Sequence, residues 1–307
     1  MGGAGEAVDD RRRMLRIREE RFSYLEMPAD GPAADVAATL WTMRARTCRT
    51  AVEAKLPSSS AEILFNLGPT GRHVVVPDHP RASSTPRAAW VIGPHARVLY
   101  MAKELADSDV VGVRLRPDAI PRVLGLPASE LRGRVVDLQD LWDGSVERIR
   151  EALYAAPDAR GRAALLAGEV AGRAAGAAAG AASEVRALRR AIESGDGATV
   201  GEVARRFGLT HRRLIALFDH AVGLKPKEYQ RVRRLMAVLA SVRADPRPSW
   251  ASVALDAGYY DQAHMANDFR CFTGLTPSAY AARRSPVGLG VVRHRVAPAD
   301  WAEHTTT

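Results

Sequence analysis

Along residues 21–116 the apolar positions come in short runs separated by turn residues: ATLWTM, EILFNLG, HVVVPDHP, AAWVIGP, RVLYMA and DVVGVRLRP. Each run has strand length, favours Val, Ile and aromatic residues, and is bounded by Gly or Pro, as β-structure requires. Together they predict a compact β-sandwich or barrel. From about residue 118 the period lengthens. Residues 137–155 and 160–182 read as helical. In the Ala/Gly-rich 160–182 stretch, helix is expected for the first half and flexibility for the second, because each Gly costs a helix about 1 kcal/mol against Ala. Residues 184–284 read as nearly continuous helix, with Val185, Leu188 and Ile192 forming the first apolar stripe.

This helical part is written twice. GLKPKEY at 223–229 returns as GLTPSAY at 274–280. Before the first copy, Thr199 with Glu202 three residues on is a capping box. Val200, Val203, Ala204 and Phe207 then share a face, and Gly208 supplies a corner. Thr210 caps a second helix with Leu214, Leu217, Phe218 and Ala221 inward. In the second copy Ser249 is the expected cap, Val253, Ala254 and Ala257 face inward, and Gly258 makes the corner. Asp261 caps the helix that carries Met265, Phe269 and Phe272 inward. Repetition at this length marks a supersecondary unit used twice, here a helix-turn-helix. Between the copies, Tyr229, Val232, Leu235, Met236 and Leu239 stripe a helix of about 17 residues, about 26 Å long. A rod of that length can hold two reading helices about 34 Å apart, one turn of B-DNA. A helical bundle with the long helix as its spine is the plainer alternative.

Charge sharpens the picture. The 307-residue chain has a net charge of +9. Residues 183–284 hold 17 Lys+Arg against 10 Asp+Glu, and residues 1–182 hold 25 against 23. The excess sits with the repeated unit, which favours an acidic partner such as nucleic acid; a solvated, arginine-rich surface is the bland reading. The two cysteines, Cys48 and Cys271, lie far apart without a CxxC neighbour, so neither a disulfide framework nor a zinc site is expected. No signal peptide is apparent, and the 163–182 run is too weakly apolar to span a bilayer. A reduced, cytoplasmic protein with no membrane partner is expected.

The run DAGYYDQAHMANDFRCFTGLTPSAY at 256–280 resembles the signature of the AraC/XylS family of bacterial transcription regulators. The resemblance covers 183–284 and implies seven helices, the third and sixth reading DNA. The segments LPSSSAEILFNLG, VIGPHARVLY and VVGVRLRPDAIPRVLGLPASELRGRVVDLQDLW resemble the N-terminal domain of one AraC-like subgroup, which implies effector sensing or dimerisation there. The expected class is α+β: a flexible tail (1–20), a β-rich regulatory domain with a helical end (21–182), an all-α double helix-turn-helix domain (183–284) and a C-terminal tail (285–307).

On the first reading helix the outward positions are His211, Arg212, Ile215, Ala216 and Asp219. The Arg212 fork suits guanine O6 and N7, whereas Ile215 and Ala216 can offer only a thymine-methyl contact. Asp219 adds local repulsion. On the second, Gln262, Ala263, His264 and Asn267 face outward, and Gln and Asn can pair with adenine. Arg213, Lys227 and Arg270 are the phosphate candidates. Gly208, Leu214, Phe218, Gly258, Met265 and Phe269 are assigned to folding. Pro226 and Pro277 suit a helix's first turn, whose free amides can hold phosphate.

For the β-rich half an enzyme must be weighed. His73, His79 and His95 lack the HxH-plus-Glu pattern of a metal-binding cupin and read as surface or loop histidines. No GxSxG, P-loop or nucleophile signature is present. Trp41, Phe65, Trp90 and Tyr100 either line a pocket or fill the core. The expected function is sequence-specific regulation of promoter DNA with no cofactor or metal. RNA polymerase, a small-molecule effector and a second copy of the chain are further candidate partners. The competing readings are an architectural DNA binder and an enzyme with a DNA anchor.

Overall fold

The computed structural model describes residues 14–19, 22–45, 50–68, 72–76, 79–84, 88–104, 108–176, 179–194, 199–245, 247–283 and 291–294. Cys48 and most of both segments read as tails lie outside these residues, as do the side chains of His73, His79 and Tyr100.

Among the described residues, twelve strands form two antiparallel sheets, neither of them closed. The strands are β1 (Leu15–Glu19), β2 (Phe22–Pro28), β3 (Ala37–Ala45), β4 (Thr50–Lys55), β5 (Glu62–Asn66), β6 (Arg72–Val76), β7 (His79–Ser84), β8 (Ala89–Ile92), β9 (Leu99–Glu104), β10 (Ser108–Leu115), β11 (Val135–Asp137) and β12 (Val291–His294). The larger sheet runs β1-β2-β3-β10-β5-β8-β11, the smaller β12-β4-β9-β6-β7. Two of these strands fall in segments read as tails. Leu15-Arg16-Ile17-Arg18-Glu19 alternates with the strand period and pairs with β2. Val291–His294 pairs with β4.

The larger sheet is buried on both faces, and alternation decides which residue goes where. Ile63 and Phe65 of β5, Ala89 and Val91 of β8, and Val111, Val113 and Leu115 of β10 pack under a helical layer. That layer is α1 (Ile120–Leu124), α2 (Gln139–Trp142), α3 (Ser145–Ala155) and α4 (Ala159–Ala175). Their neighbours Leu64, Trp90, Ile92 and Val110 point to the opposite face, where they meet Tyr24, Trp41, Met43 and Leu99. Trp41, Phe65 and Trp90 are thus core residues. Two helix expectations change. The 137–155 stretch is two helices, split at Asp143, which takes φ 48°, and Gly144. The helix beginning near 160 does not stop halfway but continues to Ala175. Ala163, Leu166, Val170 and Ala174 bury one face of it, while Gly168 and Gly172 face open space. Burial of an apolar stripe outweighs weak propensity.

Charged groups also line the inner face of this sheet. Glu62, buried, accepts from Trp41 Nε1 at 2.9 Å and Arg114 Nη2 at 3.1 Å and pairs with Lys55. Burial alone would raise its pKa, but the Lys55 and Arg114 charges win and hold it at about 2. His95 is not a surface histidine. It is buried, bridged to Ser58, with Nδ1 2.9 Å from Gly93 O and Nε2 3.1 Å from Leu56 O. Desolvation lowers its pKa to about 4.

Seven helices follow the sheet domain among the described residues: α5 (Ala179–Glu193), α6 (Val200–Arg206), α7 (His211–Val222), α8 (Pro226–Ala244), α9 (Trp250–Asp256), α10 (Gln262–Thr273) and α11 (Pro277–Arg283). Their common core holds Leu188, Phe218, Tyr229, Leu235, Phe269 and Tyr280, and the sheet domain lends it Leu56.

A Cβ on Gly112 would stand 2.4 Å from the Trp41 ring. Gly112→Ala is expected to lose about 1–3 kcal/mol to overpacking, read as a lower urea midpoint at unchanged m-value. The fold also has a local source of pH dependence in His95. An unfolded chain protonates His95 near 6.5, whereas the folded chain holds off until about 4. The unfolded state therefore binds more protons between those values, and stability falls as pH is lowered through that window, by on the order of 3 kcal/mol. His95→Gln should flatten this part of the curve, which urea titrations at pH 4 to 7 will measure.

Candidate nucleic-acid interface

Both repeated units are built as the residue pattern requires, with one exception. Thr199 and Glu202 form a reciprocal box: Thr199 Oγ1 accepts from Glu202 N at 3.2 Å and Glu202 Oε2 accepts from Thr199 N at 2.6 Å. Thr210 Oγ1 accepts from Arg213 N at 3.2 Å, and Asp261 Oδ1 from His264 N at 2.7 Å. Ser249 stands at the start of α9 but makes no cap hydrogen bond; its hydroxyl meets Ser252 Oγ at 3.2 Å instead. The corners at Gly208 and Gly258 take φ 65° and 78°, a region L side chains rarely enter.

The repeated Gly-Leu-x-Pro-x-x-Tyr has a packing role. In each copy Gly ends the reading helix, Pro opens the next, and Tyr turns back onto the phenylalanine of the reading helix. Phe218 and Tyr229 meet edge-on with centroids 5.1 Å apart, and Phe269 and Tyr280 do so at 5.5 Å. Leu214, Phe218, Met265 and Phe269 are fully buried. The second reading helix, α10, has a further tie that the apolar stripe does not reveal. Asp268 lies on its inward side, accepting from Arg231 Nε of α8 at 3.0 Å and from Tyr259 OH at 3.3 Å. The only sequence signal was its place beside Phe269 on the buried stripe.

With the inner faces committed, the outer faces are free for a partner. His211, Arg212, Arg213 and Ala216 are exposed on α7, and Ile215 is half-buried. Gln262, Ala263, His264, Asn267 and Arg270 are exposed on α10, and Lys227 at the start of α8. The structure thus gathers each set on one helix. His264 also rests edge-on against Tyr259, centroids 5.3 Å apart.

The first reading helix is also docked on the sheet domain. Arg132 pairs with Asp219 and donates through Nε to Gly223 O. Asp219, expected to repel DNA, is therefore neutralised from within the chain. Gly223 takes φ 78°, and a Cβ there would lie 2.6 Å from Ala128 O and Pro94 Cγ. Nearby, α5 is bound to the same domain. Asp118, with no exposed side-chain surface, pairs with Arg186 Nε at 3.0 Å and Arg189 Nε at 2.9 Å.

No group of three or more potential metal-ligating side chains clusters among the described residues. No helix among them is long and apolar enough to cross a membrane.

Residues 203–283 match a family described as a helix-turn-helix domain, and residues 26–137 match a domain of unknown function (DUF6597). No curated protein matches the sequence. Among solved structures, the chain is similar to unsaturated fatty acid-bound ToxT from Vibrio cholerae, at 10% identity and TM-score 0.48, over 89% of this chain and 99% of that one. It is similar to a second Vibrio cholerae ToxT structure at 10% identity and TM-score 0.44, over 86% and 98%. The matched segment and the doubled unit identify residues 203–283 as a helix-turn-helix domain, which follows an antiparallel sheet domain.

Proposed function

We propose that the chain reads promoter DNA with α7 and α10 in successive major grooves, and that the sheet domain modulates this through its grip on α7. The carrying observation is that α8 joins two capped helices whose apolar faces are buried and whose polar faces are exposed. Its 19 residues span about 28 Å, a length suited to bridging one turn of duplex. In this reading His211, Arg212, Ile215 and Ala216 face base edges from α7, and Gln262, Ala263, His264 and Asn267 from α10. Arg213, Lys227 and Arg270 lie along phosphates. Modulation is supported by the Arg132–Asp219 pair, which ties a reading helix to the other domain.

Selection of bound fragments from random DNA, with and without residues 1–182, tests the reading. A defined two-part site supports it; even coating of any duplex would mean an architectural binder. Arg212→Ala should cost about 1–3 kcal/mol of discrimination between the selected site and scrambled DNA, measured by fluorescence anisotropy. Equal loss on both sequences would assign Arg212 to phosphate. Affinity should fall steeply with salt, and Lys227→Ala should reduce the slope of log K against log salt by about 1. An unchanged slope removes Lys227 from the interface.

A further inference from the structure

We propose that Glu193 is a positioning residue for α7: it fixes the ring that clasps Phe218, and it does so through an arginine shared with the sheet domain. This deepens the regulator reading and rests on it for its effect on DNA. The links are polar and continuous. Asp118 lies in the turn Pro117–Ala119 that follows β10, and its side chain has no exposed surface. Its Oδ1 accepts from Arg189 Nε at 2.9 Å, and the same guanidinium donates through Nη1 to both carboxylate oxygens of Glu193 at 2.8 Å. Arg189 and Glu193 stand four residues apart on α5 and so share a face. Glu193 Oε1 accepts in turn from Tyr229 OH, in the first turn of α8. Burial and the Glu193 charge push the Tyr229 hydroxyl well above the ordinary tyrosine pKa, which keeps it a donor. The Tyr229 ring then meets Phe218 of α7 edge-on, and both rings are fully buried. Asp118, Arg189, Glu193, Tyr229 and Phe218 form an unbroken line from the sheet domain to the first reading helix.

Contact alone does not transmit; one link must have two arrangements. Arg189 is that link. A planar guanidinium holds two carboxylates at fixed angles, which a point-like ammonium does not. With the sheet domain docked, Asp118 and Glu193 pin the fork from both sides. With Asp118 withdrawn, Glu193 holds the fork alone. Arg233, half-buried with Nε 3.2 Å from Glu193 Oε1, then competes for the same oxygen that serves Tyr229. The second unit is built differently. Asp268 of α10 accepts from Arg231 and Tyr259, both inside the helical domain. A displacement of Asp118 therefore reaches the ring behind α7 and passes α10 by.

The test uses the full chain, with hydrogen exchange on the free protein and anisotropy on the selected DNA site, intact or scrambled in one half. Tyr229→Phe keeps the ring and removes the hydroxyl. It should speed exchange in α7, leave α10 unchanged, and cost about fivefold in discrimination at the half-site read by α7 alone. Asp118→Asn should do the same in the parent chain and add nothing in the Tyr229→Phe chain, because the line is already cut. Arg189→Lys keeps the charge but not the fork; it should match Asp118→Asn and carries the test if that variant does not fold. Glu193→Ala should match Tyr229→Phe, and Glu193→Gln, which still offers Tyr229 an oxygen, should restore part of the loss. Equal loss at both half-sites, faster exchange in both reading helices, or an undiminished effect of Asp118→Asn in the Tyr229→Phe chain overturns the proposal. So does indifference of α7 to Tyr229→Phe. Selective loosening of α7 in a chain that selects no defined DNA site sinks the regulator reading and leaves the coupling standing. Site-specific binding with α7 unmoved sinks the coupling alone.

Discussion

Each reading helix is held from behind by an aromatic ring that the next helix supplies. A 12-residue helix is marginal in water by itself. What fixes α7 and α10 is burial of one face, and the centre of each buried face is a phenylalanine clasped edge-on by a tyrosine. Such a pair contributes about 0.5–1.5 kcal/mol beyond the area it buries. Its geometry also sets the rotation of the helix about its own axis. Rotation decides which residues face outward, so the Phe218–Tyr229 and Phe269–Tyr280 contacts determine that Arg212 and Asn267 reach solvent while Leu214 and Met265 do not. The tyrosine needs the proline and glycine before it, because only a tight break brings the following helix back within reach.

The joint between the two domains is made differently. Besides the apolar contact of Leu56, ion pairs cross it: Asp118 between two arginines of α5, and Arg132 on Asp219 of α7. Arg186 also reaches Asp35 at 2.7 Å, and the Arg122 and Arg186 hydrogen bonds hold the Asp35 carboxyl below its ordinary pKa. Buried ion pairs add little net stability over apolar packing, yet losing one partner is costly because a charge is left uncompensated. A joint of this kind favours one registered arrangement over a range of sliding ones, and its strength depends on what other charges come near.

Much of this was legible in the chain. The strand runs, the duplicated unit, the inward stripes and three of the four expected caps follow from periodicity and local hydrogen bonding, which act over a few residues. What escaped depends on pairs distant in sequence. Asp219 reads as a repulsive acid on a DNA-facing helix until Arg132, 87 positions away, is set beside it. His95 reads as a loop residue until Leu56, 39 positions earlier, supplies a carbonyl. The length of α4 was underestimated because propensity penalises its glycines, whereas the sheet beneath rewards its apolar stripe. Ser249 has the right chemistry for a cap, but in the fold its hydroxyl meets Ser252.

The strand β12 gives the architecture a last property. It comes after α11 in the chain yet pairs with β4 of the smaller sheet. The helical domain is therefore inserted between strands of the sheet domain, entering through α5 and leaving toward β12. The helical domain is thus joined to the sheet domain at both of its ends, and a reorientation large enough to pull on the second attachment would peel β12 from β4.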